Sequence, residues 1–254
     1  MNDTVQPVPA VPEPQLRSQP CKVSTGRALS WLIEGSAFML KKPLVLIGTS
    51  LIWHIALVLS ITIPIIGTLI LFLFWPVLSA GYFLALNNIR QQQPISFGLM
   101  FSAFKDPLKL IKLGCIYIAI FFSIIFILFI LVLITYEWIL NLLSNSWLAN
   151  PAVLFAATVL LLVIVAFAVS IAMAFSPTLI YKHQLPISKA IKLNITSIRR
   201  NISSFTILWI SLITIFIALN VIIPFGGLLF LPLSYGALFC AYSDILLDSS
   251  SREL

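Results

Sequence analysis

The chain has 254 residues, of which 60 % are hydrophobic and 9 % are charged, with a net charge of +7. In a water-soluble domain of this length about a quarter of the residues are charged, so the composition excludes a soluble globular protein and predicts a membrane protein. The charges lie in short clusters between long apolar runs, as in membrane topology, so we expect no nucleic-acid partner.

Residues 1–23 are rich in proline and poor in apolar residues, which predicts a disordered cytoplasmic tail. Residues 24–40 have apolar side chains at helical spacing and predict a short amphipathic helix in the inner membrane interface. Its expected apolar face consists of Ala28, Trp31, Leu32, Gly35 and Phe38. Within this face, the indole of Trp31 is suited to the headgroup layer.

Residues 44–63 form the first predicted transmembrane span. Twenty helical residues rise about 30 Å, which is the thickness of the hydrocarbon core. A turn containing Pro64 and Gly67 follows, and residues 65–86 return as the second span before Arg90. This pattern predicts a hairpin that enters the membrane from the inner face.

The middle of the chain predicts one more interfacial helix and two linking spans. Residues 95–104 form the helix, with Phe97, Phe101 and Phe104 on one stripe. The residues that follow divide into the third span at 113–136, an outer interfacial segment at 138–150 and the fourth span at 152–175.

Residues 187–198 predict a third interfacial helix, and residues 206–223 and 225–242 predict the fifth and sixth spans. The apolar face of the interfacial helix is expected to hold Ile187, Ala190, Ile191, Ile195 and Ile198. The last two spans repeat the first hairpin, since a proline–glycine turn at Pro224 and Gly226 joins them.

The predicted fold is all-α: a polytopic membrane helix bundle of six transmembrane helices with short cytoplasmic interfacial helices. With both termini inside, all fifteen Lys and Arg fall on the inner side, and both hairpins enter from the inside as parallel repeats. A single transmembrane domain, 24–246, then contains repeat one at about 28–89, linking spans at about 107–177 and repeat two at about 187–245. Residues 247–254 form a cytoplasmic C-terminal tail.

Four polar residues are candidates for an intramembrane site. His54 lies roughly 15 Å deep in the first span, where an ionisable group indicates function and a neutral, hydrogen-bonded imidazole is the structural alternative. Thr214 holds the equivalent position in repeat two and is its candidate partner. Ser60 and Asn220 precede the turn prolines by four residues, where a polar side chain is expected to compensate an unpaired carbonyl.

Both return spans also carry a proline followed by small residues. These broken-helix motifs comprise Pro76, Ser79, Gly81, Pro232, Ser234 and Gly236. They predict either a substrate site lined by free carbonyls or close packing between helices.

Basic residues beside the interfacial helices predict either membrane orientation alone or binding of anionic lipid headgroups. This rim comprises Lys105, Lys109, Lys112, Lys189, Lys192, Arg199 and Arg200. The sequence contains no motif for a nucleophile, a metal site or a cofactor, so we predict no catalytic residue, no metal and no cofactor.

Several short stretches occur in a recognisable order. They are Gly-Arg-Ala-Leu-Ser-Trp at 26–31, Pro-Val-Leu-Ser-Ala-Gly at 76–81, Phe97-Gly98 with Phe101 and Ala103-Phe104, Phe-Ser-Pro-Thr-Leu at 175–179 and Ala-Tyr-Ser-Asp-Ile at 241–245. Together they resemble a family of uncharacterised proteobacterial six-span inner-membrane proteins that has no established activity. The resemblance implies a bacterial inner-membrane location.

Three functions remain open at this point. A non-enzymatic envelope protein, either a lipid-interacting scaffold or a subunit that binds other membrane subunits, is favoured by the interfacial helices and the basic rim. A transporter or exporter of small neutral or lipophilic solutes is favoured by the parallel repeat and the broken helices. An intramembrane enzyme based on His54 has the weakest support, because a single histidine without an orienting acid is a poor general base.

Overall fold

The structure, a computed structural model, describes residues 14–63, 66–143, 153, 158, 161 and 174–248. Regular structure in these residues is helical and includes no strand; one isolated antiparallel bridge joins Leu16 and Leu247. The predicted all-α class is therefore confirmed for the described part of the chain.

The described residues form α-helices of very different lengths. They are α1 Arg27–Lys41, α2 Pro43–Thr62, α3 Ile66–Arg90, α4 Phe97–Met100, α5 Leu108–Leu143, α6 Ser176–Tyr181, α7 Ile187–Arg200, α8 Ile202–Ile222 and α9 Gly227–Leu246. A 3₁₀ helix, Ser102–Lys105, follows α4. Proline occupies the first turn of α2 and of α6, where its missing N–H would have no helical partner.

Five of these helices, α2, α3, α5, α8 and α9, are long and apolar enough to cross a membrane. They coincide with five of the six predicted spans and define a multi-pass α-helical architecture. The predicted fourth span, residues 152–175, lies outside the described residues except at isolated positions and its last two residues.

The chain divides into two compact units. The first comprises Met1–Leu51, Tyr82–Met100 and Arg199–Leu254, and the second comprises Ile52–Gly81 and Phe101–Ile198.

In the first unit, α1 packs against α8 and α9. The buried residues of α1 are Ala28, Trp31, Leu32 and Gly35, as the predicted apolar face requires. Gly35 meets Gly236 at a close helix crossing, where a methyl group on either residue would overlap the backbone of the other helix. The face expected to lie in the interface therefore packs against protein, and Trp31 is fully buried instead of lying among headgroups.

An aromatic cluster joins the last turns of α3 to α9 in the same unit. Tyr82 and Tyr235 have ring centroids 4.7 Å apart. Phe83 makes edge-to-face contacts with Phe239 at 6.0 Å and with Tyr242 at 5.8 Å. Such pairs add about 0.5–1.5 kcal/mol each beyond the area they bury, so they fix the position of α3 along α9.

The prediction of a disordered tail up to residue 23 is wrong for residues 15–23, which we call the N-terminal strap. The amides of Arg17 and Cys21 donate to the carbonyls of Leu246 and Ile245 at 2.8 and 2.9 Å. These carbonyls belong to the last turn of α9, which has no helical donors for them. The strap therefore caps the C-terminal end of α9, and the predicted C-terminal tail begins with residues that pair with it.

Side chains at the junction of α7 and α8 hold the strap from its other edge. The amide of Asn201 donates to the Cys21 carbonyl at 3.0 Å and accepts from the Val23 amide at 2.8 Å. Arg200 donates to the Pro20 carbonyl at 2.8 Å. A two-way amide contact of this kind fixes an extended backbone in one register, which proline-rich composition alone does not indicate.

In the second unit, close backbone approaches again occur at glycines. Gly67 packs against the backbone of Ser60, and Gly114 of α5 packs against the backbone of Leu73 in α3. The Trp53 and Trp75 rings meet edge to face at 4.4 Å between centroids. These contacts hold α2, α3 and α5 at short distances without charged groups.

Three predicted elements differ in the structure. Residues 95–104 do not form one helix, because α4 ends at Met100 and a separate 3₁₀ helix follows. α5 runs without a break past the predicted end of the third span at 136 to Leu143, and the rest of the predicted outer segment, 144–150, lies outside the described residues.

The third difference concerns α7, whose buried side shares only Ala190 and Ile198 with the apolar face that spacing predicted for the interface. Its buried residues are Ala190, Asn194, Ser197 and Ile198, whereas Ile195 is exposed. Asn194 is buried because its side-chain oxygen accepts the Phe175 amide at 2.9 Å before α6. The protein-facing side of α7 therefore includes a specific polar contact that spacing does not reveal.

Replacing Gly35 with alanine tests the close crossing of α1 and α9. We expect Gly35→Ala to destabilise the protein by about 2–3 kcal/mol, despite the higher helix propensity of alanine, because the new methyl group meets rigid backbone. Thermal unfolding in detergent measures the loss.

Gly26→Ala is the matched control, since nothing lies within 4 Å of a methyl group there and the backbone is already helical. Its expected cost is below about 1 kcal/mol, from the weaker N-cap preference of alanine. Equal unfolding temperatures for the two variants would contradict the crossing.

Candidate functional site

Charged and polar side chains gather in the first unit at the end of α9. We call this group the Asp244 cluster; it contains Arg27, Trp31 and Glu34 of α1, Arg90 of α3, and Ser243 and Asp244 of α9. Its centre is the Asp244 carboxylate, which is only 7 % exposed although it carries a formal charge. A buried carboxylate requires hydrogen-bond donors, so the surrounding residues must supply them at this end of α9.

Two side chains of α1 donate to one oxygen of Asp244. The Arg27 Nε lies 2.7 Å from Oδ2, and the Trp31 Nε1 lies 2.9 Å from the same atom. Arg27 also donates to Glu34 Oε1 at 2.9 Å. Spacings of four and three residues place Arg27, Trp31 and Glu34 on one side of α1, so the helix presents both donors together.

Arg90 connects the same end of α9 to α3. Its Nη1 donates to the Ser243 hydroxyl at 3.0 Å, and its Nη2 donates to Asn87 Oδ1 at 2.8 Å. Its guanidinium also lies over the Phe239 ring, 5.2 Å from the centroid. The two arginines thus fix α1 and α3 to consecutive residues of one helix.

The charges of the cluster offset one another. Burial lowers the pKa of Arg27, but hydrogen bonds to Asp244 and Glu34 and the negative charges of these residues raise it, and the net pKa is above its ordinary value. The guanidinium therefore stays charged at any physiological pH. A permanently charged donor facing a buried carboxylate joins the two helices that carry them.

The predicted intramembrane polar site is divided between the units. His54 is half-buried on α2 in the second unit, whereas Thr214 is exposed on α8 in the first. The Thr214 hydroxyl donates to the Ile210 carbonyl at 2.9 Å, so its own helix satisfies it.

Ser60 and Asn220 also bond within their own helices. The Ser60 hydroxyl donates to Leu57 O at 2.7 Å, and the Asn220 amide donates to Phe216 O at 2.8 Å. Both acceptors lie in the preceding helical turn. Neither side chain therefore donates to the carbonyl that the turn proline leaves unpaired.

The second broken-helix motif takes part in packing. Pro232 lies inside α9, the Ser234 hydroxyl donates to a carbonyl of the preceding turn, and Gly236 forms the close crossing with Gly35. The first motif, residues 76–81, lies inside α3 in the second unit, where its proline, serine and glycine are buried. For Gly236, the contact favours close packing over a site lined by free carbonyls.

The predicted basic rim is also divided between the units. Five of its residues are exposed in the second unit: Lys105, Lys109, Lys112, Lys189 and Lys192. The Lys109 ammonium donates to Gln184 Oε1 at 3.2 Å, which places the start of α5 beside the loop between α6 and α7. Arg199 and Arg200 belong to the first unit, where Arg200 holds the strap.

Asp244 is not among the candidate site residues that the sequence indicated. The available signal was its position as the first charged residue after Arg200, at the end of a long apolar run. Two of the stretches that carry the family resemblance, 26–31 and 241–245, meet at this carboxylate. Their shared role is thus structural, since they join α1 to α9.

The fold and the cluster define a multi-pass α-helical membrane protein with a charged junction at one end of its helices. No family model matches the chain, and neither a curated protein nor a solved structure does. Among the described residues, no three His, Cys, Asp or Glu side chains are grouped as metal ligands. The functional argument therefore rests on the geometry of this chain.

Replacing Asp244 with asparagine tests the charged junction. We expect Asp244→Asn to cost about 2–4 kcal/mol, because it leaves the Arg27 charge without its most buried partner. The measurement is the unfolding temperature in detergent, supported by the rate of proteolysis of α1.

Asp248→Asn provides the control, because Asp248 pairs with Arg17 at 3.1 Å but its side chain is 53 % exposed. Exposed ion pairs contribute about 0–1 kcal/mol, so this variant should unfold near the wild-type temperature. An Asp244→Asn protein as stable as Asp248→Asn would show that the junction does not stabilise the fold.

Proposed function

We propose that this chain is a non-enzymatic protein of the bacterial inner membrane that binds anionic phospholipid headgroups at its cytoplasmic face. In this role it acts as a lipid-interacting scaffold or as a subunit of a larger membrane assembly. The observation that carries the proposal is the group of five exposed lysines in the second unit.

The arrangement of these lysines supports headgroup binding. Lys109 and Lys112 lie three residues apart on α5, and Lys105 ends the 3₁₀ helix just before it. The contact between Lys109 and Gln184 joins this group to the loop that leads into α7. A lysine near an anionic membrane surface contributes about 1 kcal/mol of attraction. Several lysines on neighbouring elements therefore provide selectivity for anionic lipid over zwitterionic lipid.

Apolar side chains lie among the lysines. Leu108 is 66 % exposed and Phe104 is 39 % exposed, directly beside Lys105 and Lys109 in the chain. Cations that alternate with apolar groups are typical of protein surfaces at the boundary between headgroups and acyl chains. This pattern favours a membrane surface over an acidic protein partner.

The pairing of the chain ends supports six crossings. The strap precedes the first span and pairs with Leu246 and Ile245 at the end of the last, so both ends belong on one side of the membrane. An even number of crossings must then separate them. Three long apolar helices precede residue 144 and two follow residue 201, so the expected span at 152–175 would make the total even.

Reporter fusions test this topology. Alkaline phosphatase should be active when it is fused after Asn145, beyond the third span, and inactive at the C-terminus, where green fluorescent protein should fluoresce. The physical reason is the placement of all fifteen Lys and Arg on the inner side. An active phosphatase at the C-terminus would mean an odd number of crossings and would overturn the topology.

Charge removal tests lipid binding. In the triple variant Lys105→Gln, Lys109→Gln, Lys112→Gln, the preference for phosphatidylglycerol over phosphatidylcholine should fall by a factor of about ten or more. The reason is that three attractions of about 1 kcal/mol each disappear. Native mass spectrometry of the full chain released from mixed nanodiscs measures the retained lipids.

The control carries arginine at the same three positions, which keeps the charge and the length of the side chains. This control should retain wild-type selectivity. If the glutamine variant retains it as well, these three lysines do not recognise the headgroups.

A further inference from the structure

α1 has a second apolar face, which lies away from its packed face. Leu29 is 54 % exposed, Ile33 is 71 % exposed and Leu40 is 73 % exposed. We call these three residues the outer stripe of α1. Leu44, which follows at the start of α2, is 85 % exposed.

The outer stripe follows from helical geometry. At about 100° per residue, Leu29, Ile33 and Leu40 fall within about 40° of one another around the helix axis. Their mean direction is roughly 130° from the buried face formed by Ala28, Trp31, Leu32 and Gly35. α1 is therefore apolar on two separate faces, one covered by α8 and α9 and the other not covered by the described chain.

Polar residues separate the two faces along one side only. Arg27, Ser30, Glu34 and Lys41 share this side by helical spacing. The salt bridge between Arg27 and Glu34 at 2.9 Å lies along it, with both side chains partly exposed. α1 thus has one face toward protein, one polar side and one apolar face.

The position of the outer stripe identifies what covers it. The stripe ends at exposed Lys41 and Lys42, and the apolar surface resumes at Leu44 and Leu51 on α2. Paired lysines beside the entry of a transmembrane helix mark the headgroup level. A helix at this level with an apolar face and a charged side lies in the membrane plane with its apolar face among acyl chains.

We propose that α1 is an in-plane helix whose outer stripe inserts into the acyl chains of the inner leaflet, while its opposite face clasps α9. The lipid face is thus not the face that sequence periodicity selected. The proposal rests on the proposed membrane location but does not depend on headgroup binding by the lysines of the second unit.

Spin labels on the full chain in nanodiscs test the insertion. Single cysteines at Leu29, Ile33, Leu40 and Ser30 are introduced into a background with Cys21→Ser, Cys115→Ser and Cys240→Ala, and the unfolding temperature confirms that each variant is folded. Collision rates with oxygen, which concentrates in lipid, and with a water-soluble nickel chelate then report the depth of each label.

We expect labels at 29, 33 and 40 to collide with oxygen several-fold more often, relative to nickel, than the label at 30. Equal oxygen-to-nickel ratios at all four positions would show that the stripe lies no deeper than the polar side of α1 and would overturn the proposal. Dipolar broadening between labels at 33 on different molecules would also overturn it, since a second copy of the chain would then cover the stripe. Both outcomes differ from a loss of phosphatidylglycerol selectivity, which tests the headgroup proposal alone.

Discussion

The first unit depends on one buried charge. Asp244 lies in the last turn of an apolar helix, where its carboxylate would be unstable without donors, and α1 supplies both an arginine and an indole to it. Because these donors lie on the same side of α1, satisfying the carboxylate also fixes the rotation of α1 about its axis. That rotation brings Gly35 to Gly236 and turns the outer stripe of α1 away from the protein.

The same helix end also orders the chain termini. The strap caps the last carbonyls of α9, and Asn201 and Arg200 hold it from the start of α8 and the end of α7. One helix end is therefore the meeting point of the strap, α1, α3 and the α7–α8 junction. Polar interactions are concentrated at this end of α9. Along the spans, where polar groups are scarce, packing depends on glycines and aromatic rings.

Much of the secondary structure could be predicted from the sequence, because the thickness of a bilayer dictates the length of an apolar helix. The faces of the helices were harder to predict, since periodicity shows that a face is apolar but not whether protein or lipid covers it. Trp31, expected among headgroups but buried against protein, was assigned wrongly for this reason. The Asp244 cluster and the strap depend on contacts between residues about 180 to 230 positions apart, which spacing along the chain does not reveal.

The helices differ in how much surface they leave for other molecules. In the most apolar stretch of α9, 67 % of the residues are buried, whereas in the corresponding stretches of α5 and α8 only 17 % are buried. A helix buried by its own chain is fixed by internal contacts, whereas α5 and α8 leave most of their apolar surface uncovered by the described residues. The apolar surface that the described chain leaves open on α5 and α8 supports the proposal of a lipid-binding scaffold.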